Sequence, residues 1–281
     1  MGLFSNHKKV CPICGNPTPR LLPTKIEDMP ICKECDRKID LPDGAVNEMN
    51  LARFREYLTF YDNNQTLRDT FTETWRYDFG FGGGSLLLDT DHRLLRLRDD
   101  ERALVFEASA MKSFTIKEDS TTIYASGKEN LKCHESDAPE RARSMSKLIE
   151  QFLLQRQEFQ WMLQRQEFQW MLQRQDAAER QRTRSGSPMP TVIGNEPRRL
   201  TTLDAPTFDA KGPVRNFKID ISFQHPYWGK VSWKVDGPSF DRDQPSVEEY
   251  LEKYEKKEKK LHTLAKKLMK MMNPAAKEEW V

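Results

Sequence analysis

Four of the five cysteines fall in two CxxC pairs, Cys11-Pro12-Ile13-Cys14 and Cys32-Lys33-Glu34-Cys35. A CxxC turn aims two thiolates at one ion, and two such turns complete a tetrahedral, all-sulfur shell suited to zinc. Gly15 relaxes the backbone at the first turn, and residues 15–31 are the right length for a hairpin that brings the turns together. A thioredoxin-type redox pair needs a βαβ pattern around one CxxC, and none surrounds these. Iron is the alternative metal, because Cys-Pro-Ile-Cys-Gly also matches one rubredoxin knuckle; Asp36, not glycine, follows the second pair and favours zinc. Four ligands leave no position for water, so the expected zinc at Cys11, Cys14, Cys32 and Cys35 is structural. A segment this short has little core, and metal binding is expected to supply its folding energy, on the order of 10 kcal/mol. Cys133, with His134 beside it, reads as a plain cysteine near a strand end.

Other chemistry is sparse. Gly80, Gly82, Gly83 and Gly84 cluster without the Lys-Ser/Thr of a P-loop, and Asp78-Phe79-Gly80 lacks the rest of a kinase signature. The five histidines are scattered, and Asp89 and Asp91 lie in a turn without further calcium-loop ligands. No catalytic residues are assigned, and the expectation is that the chain is not an enzyme. Over 281 residues, Lys+Arg 45 against Asp+Glu 43 gives a net charge of +2, which argues weakly against phosphate neutralisation as the main task. No apolar run reaches the length of a membrane span. Residues 1–10 show no apolar leader core, and Asn6 breaks the acylation pattern begun by Met1-Gly2, so a cytoplasmic chain with reduced thiols is expected.

The elements that must position these residues follow from periodicity. After the metal module (residues 1–45), residues 46–66 carry Leu51, Phe54, Leu58 and Tyr61 at helical spacing, a connector helix. From residue 67 to 137 the pattern is β, with strands expected at 85–89, 93–98, 103–106, 112–117 and 121–125. Residues 214–281 supply strands at 217–223 and 230–235 and a helix from 246 to 272, whose stripe includes Leu261, Ala265 and Leu268 and whose other face is rich in lysine. The fold class is therefore α+β: a small four-cysteine module, then a pleckstrin-homology-like antiparallel β-domain closed by a C-terminal helix and interrupted by a long helical insertion.

That insertion reads as one helix over 138–182 followed by a flexible linker over 183–213, rich in Ser, Gly, Pro and Arg. Inside the helix a nine-residue unit, Gln-Arg-Gln-Glu-Phe-Gln-Trp-Met-Leu, occurs at 155–163 and again, unchanged, at 164–172. Nine residues advance a helix by about two and a half turns. Phe159 and Phe168 must therefore face opposite sides, as must Trp161 and Trp170. With Met162 and Met171 they are the candidate partner-binding residues, exposed unless a partner or a second copy covers them.

Cys11-Pro-Ile-Cys-Gly15, Lys25-Ile-Glu-Asp28, Ile31-Cys-Lys-Glu-Cys35 and Arg55-Glu-Tyr-Leu58 resemble a family of bacterial proteins of unknown function. Its members carry an N-terminal four-cysteine zinc-ribbon-like module, a charged helix and a small β-domain. The resemblance covers roughly residues 8–65 and, less specifically, His225-Pro-Tyr-Trp228 and Tyr250-Leu-Glu-Lys-Tyr254. It implies that the four cysteines are metal ligands, and it implies no reaction. Pro17 and Pro19 and the Gln/Arg repeat depart from the family pattern. The leading functional expectation is a zinc-binding adaptor acting through protein contacts, with self-association through the repeat helix as one form. Nucleic-acid binding through Lys8, Lys9, Arg20, Lys25, Lys33, Arg37 and Lys38 is the alternative, and lipid binding through the lysine-rich helix the third.

Overall fold

Residues 10–80, 82–183 and 200–281 are described by a computed structural model, a mixed α+β chain with several sheets and one long helix. Met1 to Lys9 and residues 184–199, most of the expected linker, lie outside the described residues. In chain order the first elements are β1 (Lys25–Ile26), β2 (Met29–Pro30), α1 (Lys33–Asp36), α2 (Leu51–Asn63) and α3 (Gln65–Thr70). Strands β3 (Trp75–Asp78), β4 (Ser85–Asp89), β5 (Leu94–Arg96), β6 (Val105–Glu107), β7 (Met111–Glu118), β8 (Thr121–Ser126) and β9 (Asn130–Cys133) follow. Then come α4 (Ala138–Ser144), α5 (Ser146–Thr183), β10 (Asn216–Phe223), β11 (Lys230–Asp236), α6 (Val247–Met272) and β12 (Lys277–Trp280).

Two units separate by their contacts. The first holds residues up to 136, 216–236 and 257–281; the second holds 137–215 and 237–256.

In the first unit β3-β4-β5-β6 form an antiparallel sheet, and a six-stranded sheet runs β11-β10-β7-β8-β9-β12. Only the β9–β12 pair of the larger sheet is parallel. Leucines fill the inner strands of the smaller sheet: Leu86, Leu88 and Leu95 are fully buried. Phe79 stacks on Trp233 of β11 with ring centroids 4.6 Å apart. Leu261, Leu264, Ala265 and Leu268 of α6 are buried at the i, i+3, i+4, i+7 spacing of a docked helix. Arg93 caps that helix, donating to the carbonyls of Met271 and Met272. Three lysines of its polar face are engaged: Lys257 donates to the Asp236 carbonyl, Lys266 pairs with Glu278 and Lys267 lies over Trp75. The tight turn after β3 uses Gly80, Gly82 and Gly84 at positive φ, where a side chain would be strained.

Asp89 ties the turn between β4 and β5 to the sheet. Its fully buried carboxylate accepts from the backbone N–H groups of Thr72 and His92 and from His92 Nδ1, at 2.8–3.0 Å. Burial alone would raise its pKa, but these donors outweigh that and hold it below the ordinary carboxylate value. Its stabilising contribution is therefore complete at neutral pH and is lost as pH falls through the ordinary carboxylate range toward the folded-state value. Asp89→Ala is expected to cost about 2–3 kcal/mol at neutral pH, with the deficit shrinking in acid. Denaturant titrations at both pH values check this, and a deficit that does not depend on pH would contradict it.

In the second unit the expected single helix is two, α4 and α5, meeting at Met145. There the chain tightens, the Met145 N–H bonding to the Ala142 carbonyl at i−3 while Ser144 Oγ donates to the Arg141 carbonyl. The core is a relay of rings, Phe152–Phe208–Phe240–Tyr250, with centroids 4.6–5.6 Å apart. The Tyr250 hydroxyl accepts the Val214 N–H. A Cβ on Gly237 would lie 2.0 Å from the Val214 carbonyl oxygen, so only glycine fits that crossing.

Candidate metal centre

The two CxxC pairs meet although they are built differently. At the first, the Gly15 N–H bonds back to the Cys11 carbonyl, and Gly15 takes φ 76° to turn the chain away. The intervening hairpin reverses at Glu27 and Asp28, both in the left-handed region (φ 48° and 61°), and so returns the chain to the first pair. At the second pair Cys32 stands at the N-cap of α1 and Cys35 one turn along.

The four sulfurs all lie within 4.8 Å of one another. Individual separations are 3.4 Å for Cys14–Cys32, 3.7 Å for Cys14–Cys35 and 3.8 Å for Cys11–Cys35. A metal–sulfur bond of about 2.3 Å in a regular tetrahedron sets sulfurs about 3.8 Å apart, whereas a disulfide needs about 2.05 Å. The spacing fits one four-coordinate ion and no disulfide. Cys11, Cys32 and Cys35 are buried, and Cys14 faces solvent. Burial pushes the Cys11 thiol up, but the backbone N–H groups of Cys14, Cys32 and Ile13 outweigh it and bring its pKa down to about 7. Cys35 is pushed well above the ordinary thiol value by burial and by the neighbouring sulfurs. Four thiolates this close need a cation among them, and the residues present fit one.

The module is bolted to α2. Arg55 donates to the Pro12 carbonyl, the Leu51 N–H reaches Glu27, and Lys38 pairs with Asp62 at 2.6 Å. Tyr57 donates to the Lys38 carbonyl and accepts the Asp40 N–H. Asp40 then joins the module to the sheets: its carboxylate accepts the Leu104 N–H, and its carbonyl accepts Trp228 Nε1. Of the basic residues expected to form a nucleic-acid surface, Lys38 is engaged as described and Arg37 pairs with Glu34. Lys8 and Lys9 lie outside the described residues.

The aromatic repeat is divided by the half-turn. Phe159 is 8% exposed and Phe168 58%; Trp161 is 62% exposed, and Trp170 is half-buried. Met162 and Met171 are exposed. Arg156 of the first unit is anchored, donating to the Pro206 carbonyl and pairing with Asp243 at 2.7 Å. Its copy nine residues on, Arg165, has no such partner among the described residues. Duplication copied the side chains and not their surroundings.

Sequence reasoning set Cys133 beside His134, yet the fold brings it to His262 and Glu278, whose ligating atoms lie within 4.8 Å of its sulfur. The parallel pairing of β12 with β9 creates this neighbourhood, and no local sequence signal announces it. The two Glu278 oxygens are already taken, by His262 Nε2 at 3.0 Å and Lys266 Nζ at 2.5 Å. Burial, with the Glu278 charge, pushes the Cys133 thiol up to about 11. This cluster is a buried, protonated thiol beneath a partly exposed network of Glu278 with His262 and Lys266.

No family model, curated protein or solved structure matches the chain. The clustered cysteines are the part of the family resemblance that the structure supports. No helix among the described residues is long and apolar enough to cross a membrane.

Proposed function

We propose that this chain is a non-catalytic scaffold that holds a structural zinc ion at Cys11, Cys14, Cys32 and Cys35 and pairs with a second copy of itself through α5. One observation carries the reading. More than half of the large exposed apolar side chains among the described residues sit on α5, and most of these form a stripe. Leu154, Trp161 and Phe168 are spaced by seven, so each falls about 20° short of two full turns from the last. Leu172 falls in the same arc, with Leu153 and Met171 along its edge toward Ile149, and the buried Phe152 and Phe159 lie on the other side of the helix. Seven-residue spacing of large apolar side chains is the seam of a left-handed helix pair.

Charge favours a second copy as the occupant. Glu158 and Arg165 lie on one flank of the stripe. An antiparallel pairing centred on Trp161 sets Leu154 against Phe168 of the other copy and brings Glu158 near its Arg165, twice over by symmetry. The coiled-coil character of α5 and the assignment of the two sheets and α6 to a pleckstrin-homology-like domain belong to this proposal, as does a reducing, cytoplasmic setting. Zinc is favoured over iron because the second pair opens a helix instead of repeating the glycine-bearing knuckle. Sedimentation velocity across a concentration series tests the pairing: the expected result is a dimer that dissociates on dilution, and a monomer at every concentration would defeat it.

A further inference from the structure

A cavity of about 680 Å³ in the first unit, outside the metal centre and the repeat helix, lies between α2–α3 and the four-stranded sheet. Its floor is Arg76, Leu87 and Arg96, three members of one row of that sheet. Arg76, Leu87, Arg96 and Val105 stand directly opposite one another on β3, β4, β5 and β6, so their side chains share a face. Facing them are Arg68 and Phe71 at the end of α3.

Arg96 occupies what ought to be an apolar position, between Leu95 and Leu97 on an inner strand. It is 8% exposed, its guanidinium makes no hydrogen bond or ion pair within reach among the described residues, and its Nε is buried without a partner. Buried charge without a partner is strongly unfavourable, and desolvation accordingly lowers the Arg96 pKa, with Glu101, Asp100 and Asp99 opposing it only at longer range. Arg68, 9% exposed, hydrogen-bonds the Tyr61 carbonyl, Asn64 and Gln65, none of them charged. Two guanidiniums thus line one cavity with no carboxylate on either. Both lie over aromatic rings, Arg68 4.1 Å from the Tyr61 centroid and Arg96 4.5 Å from that of Phe71. Such stacking fixes the guanidinium planes; the edges of Arg96 are left for a fork-shaped acceptor, whereas Arg68, its Nε–Nη2 edge already on Gln65, adds positive charge beside it.

We infer that this cavity binds a small carboxylate of the α-amino-acid class, its carboxylate held by the Arg96 guanidinium beside the positive charge of Arg68 and its ammonium by Glu101. Four arginines and four carboxylates line the cavity, so a polyanion is repelled by the acids at its mouth. Arg76 is already held by Glu73 and Asp99 and is not available to the ligand. Glu101 is exposed and without an ion pair among the described residues, placing a negative charge at the entrance for a positive group.

Calorimetric titration of the intact chain with a panel of free amino acids, the corresponding decarboxylated amines, simple fatty acids and inorganic phosphate tests this. At least one amino acid is expected to bind, and its amine is not. Arg96→Leu should weaken that binding by at least about 10-fold, the usual cost of a lost charge-assisted hydrogen bond. The same variant should melt above the wild type without ligand, because it removes a buried unpaired charge. Glu101→Gln should weaken amino-acid binding and leave the binding of a simple carboxylate unchanged. The inference is overturned by no amino-acid binding at millimolar concentrations, by equal binding in Arg96→Leu, by phosphate binding alone, or by a melting point of Arg96→Leu below that of the wild type.

Discussion

Trp161→Glu combined with Phe168→Glu is expected to leave the chain folded and monomeric at concentrations where the wild type is dimeric. Both side chains project into solvent, so the exchange removes no core contact of their own subunit. In the paired state they would lie at the centre of the seam, where a large aromatic residue contributes most of the binding energy. Truncating one such residue commonly weakens association by about 30-fold, and burying an unpaired carboxylate in its place costs more, so the double variant should lose at least about 1,000-fold in affinity. Gln173→Glu adds a negative charge to the same exposed helix away from the stripe and should leave the dimer intact. Excising the repeat is a poorer test, because Phe159 is buried and the second unit would lose part of its core. Equal association constants for wild type and double variant would show that the stripe is not the contact.

Removing the metal should open the N-terminal module and little else. A strong chelator leaves four thiolates, and Cys32→Ser three, without the ion that neutralises them, and either withdraws a metal-binding contribution on the order of 10 kcal/mol. The hairpin β1–β2 and the four-residue helix α1 have almost no apolar core beyond Ile26 and Ile31 to take its place. Residues 10–49 should become sensitive to protease, while fragments containing the two sheets persist, since their buried leucines and phenylalanines do not touch the sulfurs. Trp228 offers a local reporter: its Nε1 donates to the Asp40 carbonyl where the module meets the sheets, so its fluorescence should shift on metal loss. Cys133→Ser should retain the full metal content. Unchanged proteolysis after chelation would mean that the module folds on its own side chains.

Local features were legible in the sequence and distant pairings were not. The CxxC pairs and Gly15 announced the sulfur cluster because each half is a short turn whose geometry its own residues fix. Strand Ser85–Asp89 was readable because its apolar run is bounded by glycines and an Asp-Thr-Asp turn. Strand β12 was not: Lys277-Glu-Glu-Trp280 is charged and exposed throughout and becomes a strand only by pairing with β9, so the neighbourhood of Cys133, His262 and Glu278 was hidden with it. The half-turn between repeats was readable from helix geometry alone. Which face would be buried was not, because that depends on Phe208, Phe240 and Tyr250, far along the chain. Arg96 read as an ordinary strand residue, and only the fold exposes its lack of a partner.

Native mass spectrometry of the intact chain, purified without added metal under reducing conditions, tests the central claim most directly because it reads metal and assembly together. The account predicts a species of two chains carrying two zinc ions, reduced to one chain with one zinc ion by the Trp161→Glu, Phe168→Glu exchange. A metal-free chain, or a wild type that stays monomeric at the highest concentrations reached, would contradict it.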